Sequence, residues 1–176
     1  MKMKNKIIAF ALLLTILFAL IPADTTQAAT VPAKVTRALS KAVDENGRCI
    51  VVDQSNERIY LFKRDCKTKE WKLKRTGRCI VSQKLCKTKH YMLLRNDDSD
   101  CLAWGNERER WSYGIHIDCY EKPTCIVLHS YREYYRGRTW IKDKSRAGND
   151  FGIAVCEELA EYIWKHYGDG TAVMGV

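Results

Sequence analysis

Eight cysteines and four histidines are the residues in this sequence whose types most directly offer chemistry. The cysteines are Cys49, Cys66, Cys79, Cys86, Cys101, Cys119, Cys125 and Cys156. An even number of cysteines in an exported chain predicts disulfides, and eight of them allow 105 pairings that sequence does not resolve. Cys119 and Cys125 flank the turn-like Tyr-Glu-Lys-Pro-Thr and are candidates to face each other across a hairpin. Zinc is the rival reading, and the lack of any C-x-x-C pair argues against it. The histidines, at positions 90, 116, 129 and 166, show no H-E-x-x-H or other ligand spacing, so no metal and no cofactor are expected. A thiol could also act as a nucleophile beside an imidazole. Cys125 lies four residues before His129, roughly 13 Å along a strand, too far for a direct bond. Cys156 opens a helical segment, a position that lowers a thiol's pKa.

The elements that must position these residues begin after an export signal. MKMKNK is basic, Ile7 to Ile21 is apolar but for Thr15, and Thr26-Gln27-Ala28-Ala29 supplies small residues for cleavage. The apolar run is shorter than the roughly 18–20 residues a membrane span needs. Residues 1–29 are therefore expected to be a signal peptide, residues 30–47 a lead-in helix, and residues 48–176 one domain. No membrane span is expected after cleavage, and the protein is expected to be secreted or wall-associated. The leader carries three lysines and one acid, which leaves the mature chain a net charge of +7. Such a surface favours anionic partners: nucleic acid, acidic lipids or the anionic polymers of a cell wall, of which a wall polymer, peptidoglycan or another, is the one expected outside a cell. No tight basic cluster interleaved with aromatics argues for nucleic acid. The oligomeric state is open.

Val31, Val35, Leu39 and Val43 recur four apart and predict a short helix that stops at Asn46-Gly47. Strand signals follow at 49–53, 58–63, 71–74, 78–82, 91–94, 113–117 and 125–128. Residues 132–149 are polar, basic and aromatic without a period and read as a long surface loop. Tyr134, Tyr135, Arg136, Arg138 and Trp140 make it a candidate binding surface, because Tyr, Trp and Arg dominate contact hot spots. Such aromatics could equally cap the core. From Cys156 to Tyr167 acids lead and cations close a helix, matching its dipole, before a last strand at 171–176.

Three pieces together resemble the L,D-transpeptidase catalytic domain, the family that cross-links bacterial peptidoglycan. They are the opening hairpin Ile50-Val51-Val52-Asp53-Gln54-Ser55-Asn56-Glu57-Arg58-Ile59-Tyr60-Leu61-Phe62, the strand Ile126-Val127-Leu128-His129-Ser130, and the closing Ala160-Glu161-Tyr162-Ile163-Trp164 with Gly170-Thr171-Ala172-Val173. The resemblance implies a mostly-β, L,D-transpeptidase-like β-sandwich with one C-terminal α-helix and a short N-terminal helix, here stabilised by disulfides. It also implies acyl transfer through a cysteine thioester, with a histidine to activate the thiol and backbone N–H groups to hold the oxyanion. The family writes the nucleophile as Ser-x-Gly-Cys-x-Arg. Counting back from Ala160 and Gly170-Thr171, Gly152 stands at the cysteine and Ala154 at the arginine. Ser82-Gln83 and Cys86–Tyr91 replace a further stretch of the family pattern. His129 and Ser130 are then remnant active-site positions. The expectation is a pseudoenzyme that binds wall material. Two alternatives stay open: an active transpeptidase with Cys156 as displaced nucleophile, and a disulfide-rich binding protein whose likeness is accidental.

Overall fold

The β1–β2 hairpin sets the frame. Arg48–Asp53 (β1) and Arg58–Arg64 (β2) pair antiparallel from Arg48↔Lys63 to Asp53↔Arg58. The turn is built on Asp53. Its Oδ1 accepts hydrogen bonds from Ser55 Oγ at 2.8 Å and the Asn56 N–H at 3.1 Å, and Oδ2 accepts from Asn56 Nδ2 at 2.8 Å. Burial opposes the charge on Asp53, but hydrogen bonds from Lys34, Asn56 and Ser55 outweigh it and hold the carboxyl down at about 2. The structure, a computed structural model, describes residues 30–94, 103–105, 108–119, 122–150 and 152–176. All that follows concerns the unit Val31–Val176. The expected 1–29 leader and the expected 96–100 loop lie outside the described residues.

The remaining strands are Trp71–Val81 (β3), Tyr91–Leu94 (β4), Ala103–Gly105 (β5), Glu109–Ser112 (β6), Ile115–Cys119 (β7), Lys122–Ser130 (β8), Glu133–Arg136 (β9), Thr139–Lys142 (β10), Gly152–Val155 (β11) and Ala172–Gly175 (β12). Among the described residues two α-helices, Ala33–Leu39 (α1) and Glu157–His166 (α2), and a short 3-10 helix at Ala147–Asn149 complete the fold. It is mostly β, with one helix towards each end, as expected, but it is not a sandwich. Eight strands close into a barrel in the order β1-β12-β4-β7-β8-β11-β3-β2. Two parallel pairings between distant segments, β1 with β12 and β8 with β11, leave every barrel strand with two neighbours. Closure removes the edges a sandwich would leave.

Alternation along the strands builds two cores. Ile50, Val52, Ile59, Leu61, Leu128, Ile153 and Val155 point into the barrel, where Leu159, Ala160 and Ile163 of α2 join them. Gly77 in β3 lets α2 approach, since a β-carbon there would lie 2.6 Å from Leu159 Cδ2. On the outer face, Val51, Tyr60, Phe62 and Met174 are covered by Val35, Ala38 and Leu39 of α1. Lys34 fixes that helix through a 2.5 Å ion pair with Asp53.

Among the described residues the expected disulfides are absent. Cys49, Cys66, Cys79, Cys86, Cys119 and Cys156 are all free thiols. Their placement explains why. Cys49 belongs to the outer core, Cys79 and Cys119 to the inner one on strands that are not neighbours, and the other three are exposed at separate turns and ends. The Cys119–Cys125 hairpin pairing fails on register, because Lys122 faces Cys119. Cys101 and the Cys125 side chain lie outside the described residues.

The long loop at 132–149 is also corrected. Most of it is the β9–β10 hairpin, turned by Gly137 and Arg138 at φ 57° and 73°. It lies in a second sheet of order β10-β9-β6-β5.

Candidate functional site: the β8–β11 face

Strands β8 and β11 run parallel with Gly152 opposite Val127, Ala154 opposite His129 and Val155 opposite Ser130. Ile126, Leu128, Ile153 and Val155 fill the barrel, so alternation turns Val127, His129, Gly152 and Ala154 to the other face. Two pieces widely separated in sequence, the His129-Ser130 strand and the Gly152–Val155 strand, are thus brought side by side.

His129 is 1% exposed. Its Nδ1 lies 2.6 Å from the Ser130 carbonyl oxygen, which can only accept, so Nδ1 carries the proton. Nε2 is then a lone-pair nitrogen, buried and without a hydrogen-bond partner. Burial holds the imidazole pKa below its usual 6.5, and the Ser130 carbonyl and the Asp150 carboxylate offset only part of that. The ring is built to be neutral. Ser130 has a scaffolding contact: its Oγ accepts the Ser112 N–H at 2.9 Å and ties β6 to β8.

Gly152 has φ +150°, and a β-carbon there would fall on the Val127 carbonyl oxygen and 2.7 Å from the Val127 nitrogen. Those are backbone atoms of a paired strand and cannot step aside. The Gly152 carbonyl accepts the N–H groups of Ser82 at 2.9 Å and Gln83 at 3.2 Å. Ala154 completes a floor of small residues beside His129. Cys156 follows β11 as the N-cap of α2, exposed, free, and without a side-chain capping bond.

Beside this floor, a cleft of ≈ 350 Å³ is lined by Asn56, Glu57, Arg78, Cys79, Ile80, Tyr131 and Lys144. Ile80 pairs with Ala154, which pairs with His129, so the cleft abuts the same strand row. Glu57 is engaged by Arg146. Burial raises the Tyr131 pKa. Asn149, fully buried, holds the segment bordering this face. Its Oδ1 accepts the Arg132 N–H at 2.8 Å, and its Nδ2 donates to the carbonyls of Asp143 at 2.8 Å and Ser145 at 2.7 Å. Sequence reading missed this cleft, since its lining comes from four separate segments. Its one legible signal was the buried-type pattern Cys79-Ile80 beside Arg78.

The candidate aromatic surface is on the other sheet. Trp140 pairs with Tyr135 across β9–β10 with ring centroids 5.3 Å apart, and the Arg110 guanidinium sits 4.2 Å over Trp140. Arg110 was missed because only the β6–β9 pairing brings it there. Tyr135, Arg136 and Arg138 are exposed, while Tyr134 is half-buried. Among the described residues no cluster of His, Cys, Asp or Glu could hold a metal.

No protein-family model matches the chain, and no curated protein matches it. Solved structures do match. A Clostridium acetobutylicum protein described as a fused zinc-dependent amidase/peptidase/peptidoglycan-binding domain-containing protein is 17% identical, with a TM-score of 0.61 over 88% of this chain and 64% of that one. The L,D-transpeptidase LdtMt1, solved with imipenem, is 9% identical, with a TM-score of 0.46 over 74% of this chain and 59% of that one. The helical cell shape determining protein Pgp2 from Campylobacter jejuni is 12% identical, with a TM-score of 0.46 over 80% of this chain and 54% of that one. The chain is similar to L,D-transpeptidase structures, distantly. At these identities the likeness is one of fold, and the chain spans less than two thirds of each of those proteins.

Proposed function

We propose that this chain is an extracytoplasmic, wall-associated protein that binds peptidoglycan on an L,D-transpeptidase-like fold without turning it over. The observation that carries the reading is Gly152. It stands where the family's nucleophile is expected, and the Val127 backbone occupies the space a side chain would need. His129 beside it keeps its ring, but Ala154 opposite supplies neither thiol nor guanidinium. The adjoining cleft retains the means to bind: Arg78 and Lys144 can meet the carboxylates of a stem peptide, and Tyr131 offers a hydroxyl and a ring. The peptidoglycan-binding domain named for the Clostridium protein of like fold points the same way. Sedimentation with purified wall and mass spectrometry of disaccharide-tetrapeptide muropeptides test both halves. The reading expects binding with the muropeptides unchanged. Loss of a terminal D-amino acid, or a cross-linked dimer, would overturn it.

One observation favours a second reading. The Cys156 thiol is free and exposed at a helix start, so a displaced nucleophile has a candidate. Turnover abolished by Cys156→Ser would establish it.

A further inference from the structure

The far ends of β1, β2 and β3 carry an unusual row of charge. Arg48 lies directly opposite Lys63, and Lys63 directly opposite Lys72, on three adjacent strands. Like charges facing each other across strands are destabilising. Of these, Lys72 alone is relieved, by Asp65 at 2.6 Å. Arg48 and Lys63, with Lys74 nearby, enter no ion pair among the described residues, and the three converge on one pocket of ≈ 220 Å³. Its other walls are Tyr162, His166 and Tyr167 from the end of α2, and no acid lines it.

A second, independent feature belongs to the same wall. Tyr167 is 2% exposed, and its hydroxyl is buried with no hydrogen-bond partner. Buried hydroxyls are almost always paired. Here the unpaired one belongs to a residue that walls a pocket together with three uncompensated cations. The C-terminus of α2 does not account for them, since a helix end presents only about half a negative charge. The pocket also continues outward. Lys63 and Lys74 line an adjoining cleft of ≈ 490 Å³ together with Arg64, Asp65, Cys66, Lys67 and Lys72, in which Asp65 holds Lys72 and Asp44 holds Arg64.

We propose that this pocket binds a phosphate group of a polymer with repeating phosphates, with Arg48, Lys63 and Lys74 supplying charge and the Tyr167 hydroxyl a buried donor. A phosphate offers several oxygens to an arginine fork, two ammonium groups and a hydroxyl at once. A single carboxylate would leave cations unmet. Lys67 in the adjoining cleft, with Lys63 and Lys74 shared between the two, carries the next phosphate of the chain. This site shares no residue with the β8–β11 face and does not rest on peptidoglycan binding.

The test is thermal unfolding of the full chain with sodium polyphosphate, and separately with a single-stranded oligonucleotide and poly-L-glutamate of matched charge. Polyphosphate well above its dissociation constant is expected to raise Tm by about 5–10 °C. Tyr167→Phe is expected to leave the ligand-free Tm unchanged or higher, since it removes an unpaired hydroxyl, and to cut the shift by at least half. The Lys63→Gln/Lys74→Gln pair is expected to abolish the shift, and Lys84→Gln, a surface lysine elsewhere, to preserve it. A comparable oligonucleotide shift would support the phosphate site and assign its source to nucleic acid. An absent shift with polyphosphate, an undiminished one in Tyr167→Phe, or an equal one with poly-L-glutamate would overturn the proposal.

Discussion

Gly152 lies directly across from Val127 on a parallel strand, and the Val127 backbone fills the space where a side chain of residue 152 would begin. A thiol at the position that the resemblance assigns to a nucleophile therefore has no room. Gly152→Cys is expected to destabilise the protein by about 1–3 kcal/mol or more through overpacking and positive-φ strain. It should form no adduct with a carbapenem. Urea unfolding and intact-mass measurement check the two halves, and a folded variant that acylates would show that the β8–β11 face can open.

Stability should fall on mild acidification because of His129. Burial lowers its folded pKa below 6.5, so below that pH the unfolded chain takes up a proton that the folded chain refuses. Stability then rises with pH across the window from the depressed folded value up to about 6.5, by at most about 1.4 kcal/mol per pH unit. Urea midpoints at pH 5.5 and 7.5 measure the slope. His129→Leu should flatten it; an unchanged slope would assign the effect to other groups.

Thiol reactivity should divide the cysteines by burial. Cys66, Cys86 and Cys156 should react with a thiol reagent in the native protein, and Cys49, Cys79 and Cys119 only on unfolding. Burial pushes the Cys49 and Cys79 thiols up to about 12, which keeps them protonated. The Thr88 hydroxyl beside Cys86 pulls its pKa down, so Cys86 should react faster than Cys66 near neutral pH. Peptide mapping after timed alkylation reads the order, and protection of any exposed one of the three would contradict it.

Asn149→Ala should loosen the segment between Asp143 and Gly152. It strips three side-chain hydrogen bonds at a fully buried position, and each orphaned partner costs roughly 1–3 kcal/mol unless water reaches it. A net loss of about 2–4 kcal/mol is expected from denaturant unfolding. Amide exchange should quicken first at Arg132, whose N–H loses its acceptor.

Trp140→Ala should weaken wall binding while leaving the barrel folded. It removes the stacking partner of Tyr135 and the ring beneath Arg110. If the hairpin contacts glycan, affinity should drop about tenfold, the usual scale of a single hot-spot aromatic. Co-sedimentation with purified wall, alongside unchanged circular dichroism, measures it; equal binding would confine the contact to the Arg78–Tyr131 cleft.

Local features were the legible ones. The run of β-formers Cys49-Ile50-Val51-Val52-Asp53 and the polar turn at 54–57 gave β1 and β2 directly, and the charge order from Glu157 to His166 gave α2. The barrel was not legible, because closure depends on Cys49 meeting Ala172 and on Gly152 meeting Val127, pairings that no local pattern encodes. Cysteine parity misled because it ignores facing: Cys49 and Cys79 sit in different cores. For the site, the adjacency of His129 to the Gly152 segment followed from the motif order. The hindrance at Gly152 and the unpaired Tyr167 hydroxyl are facts of packing, invisible until the strands are laid side by side.

The parallel joint between β1 and β12 also has a kinetic side. Its partners are about 120 residues apart, and long-range pairing of this kind folds slowly. Until β12 arrives, β1 and β4 are bare edges, each with unpaired backbone open to another chain. The hazard for this protein is therefore greatest during its synthesis. Shortening the last strand, even by the few residues from Ala172, should convert a slow folder into an aggregating one long before it alters any surface that binds.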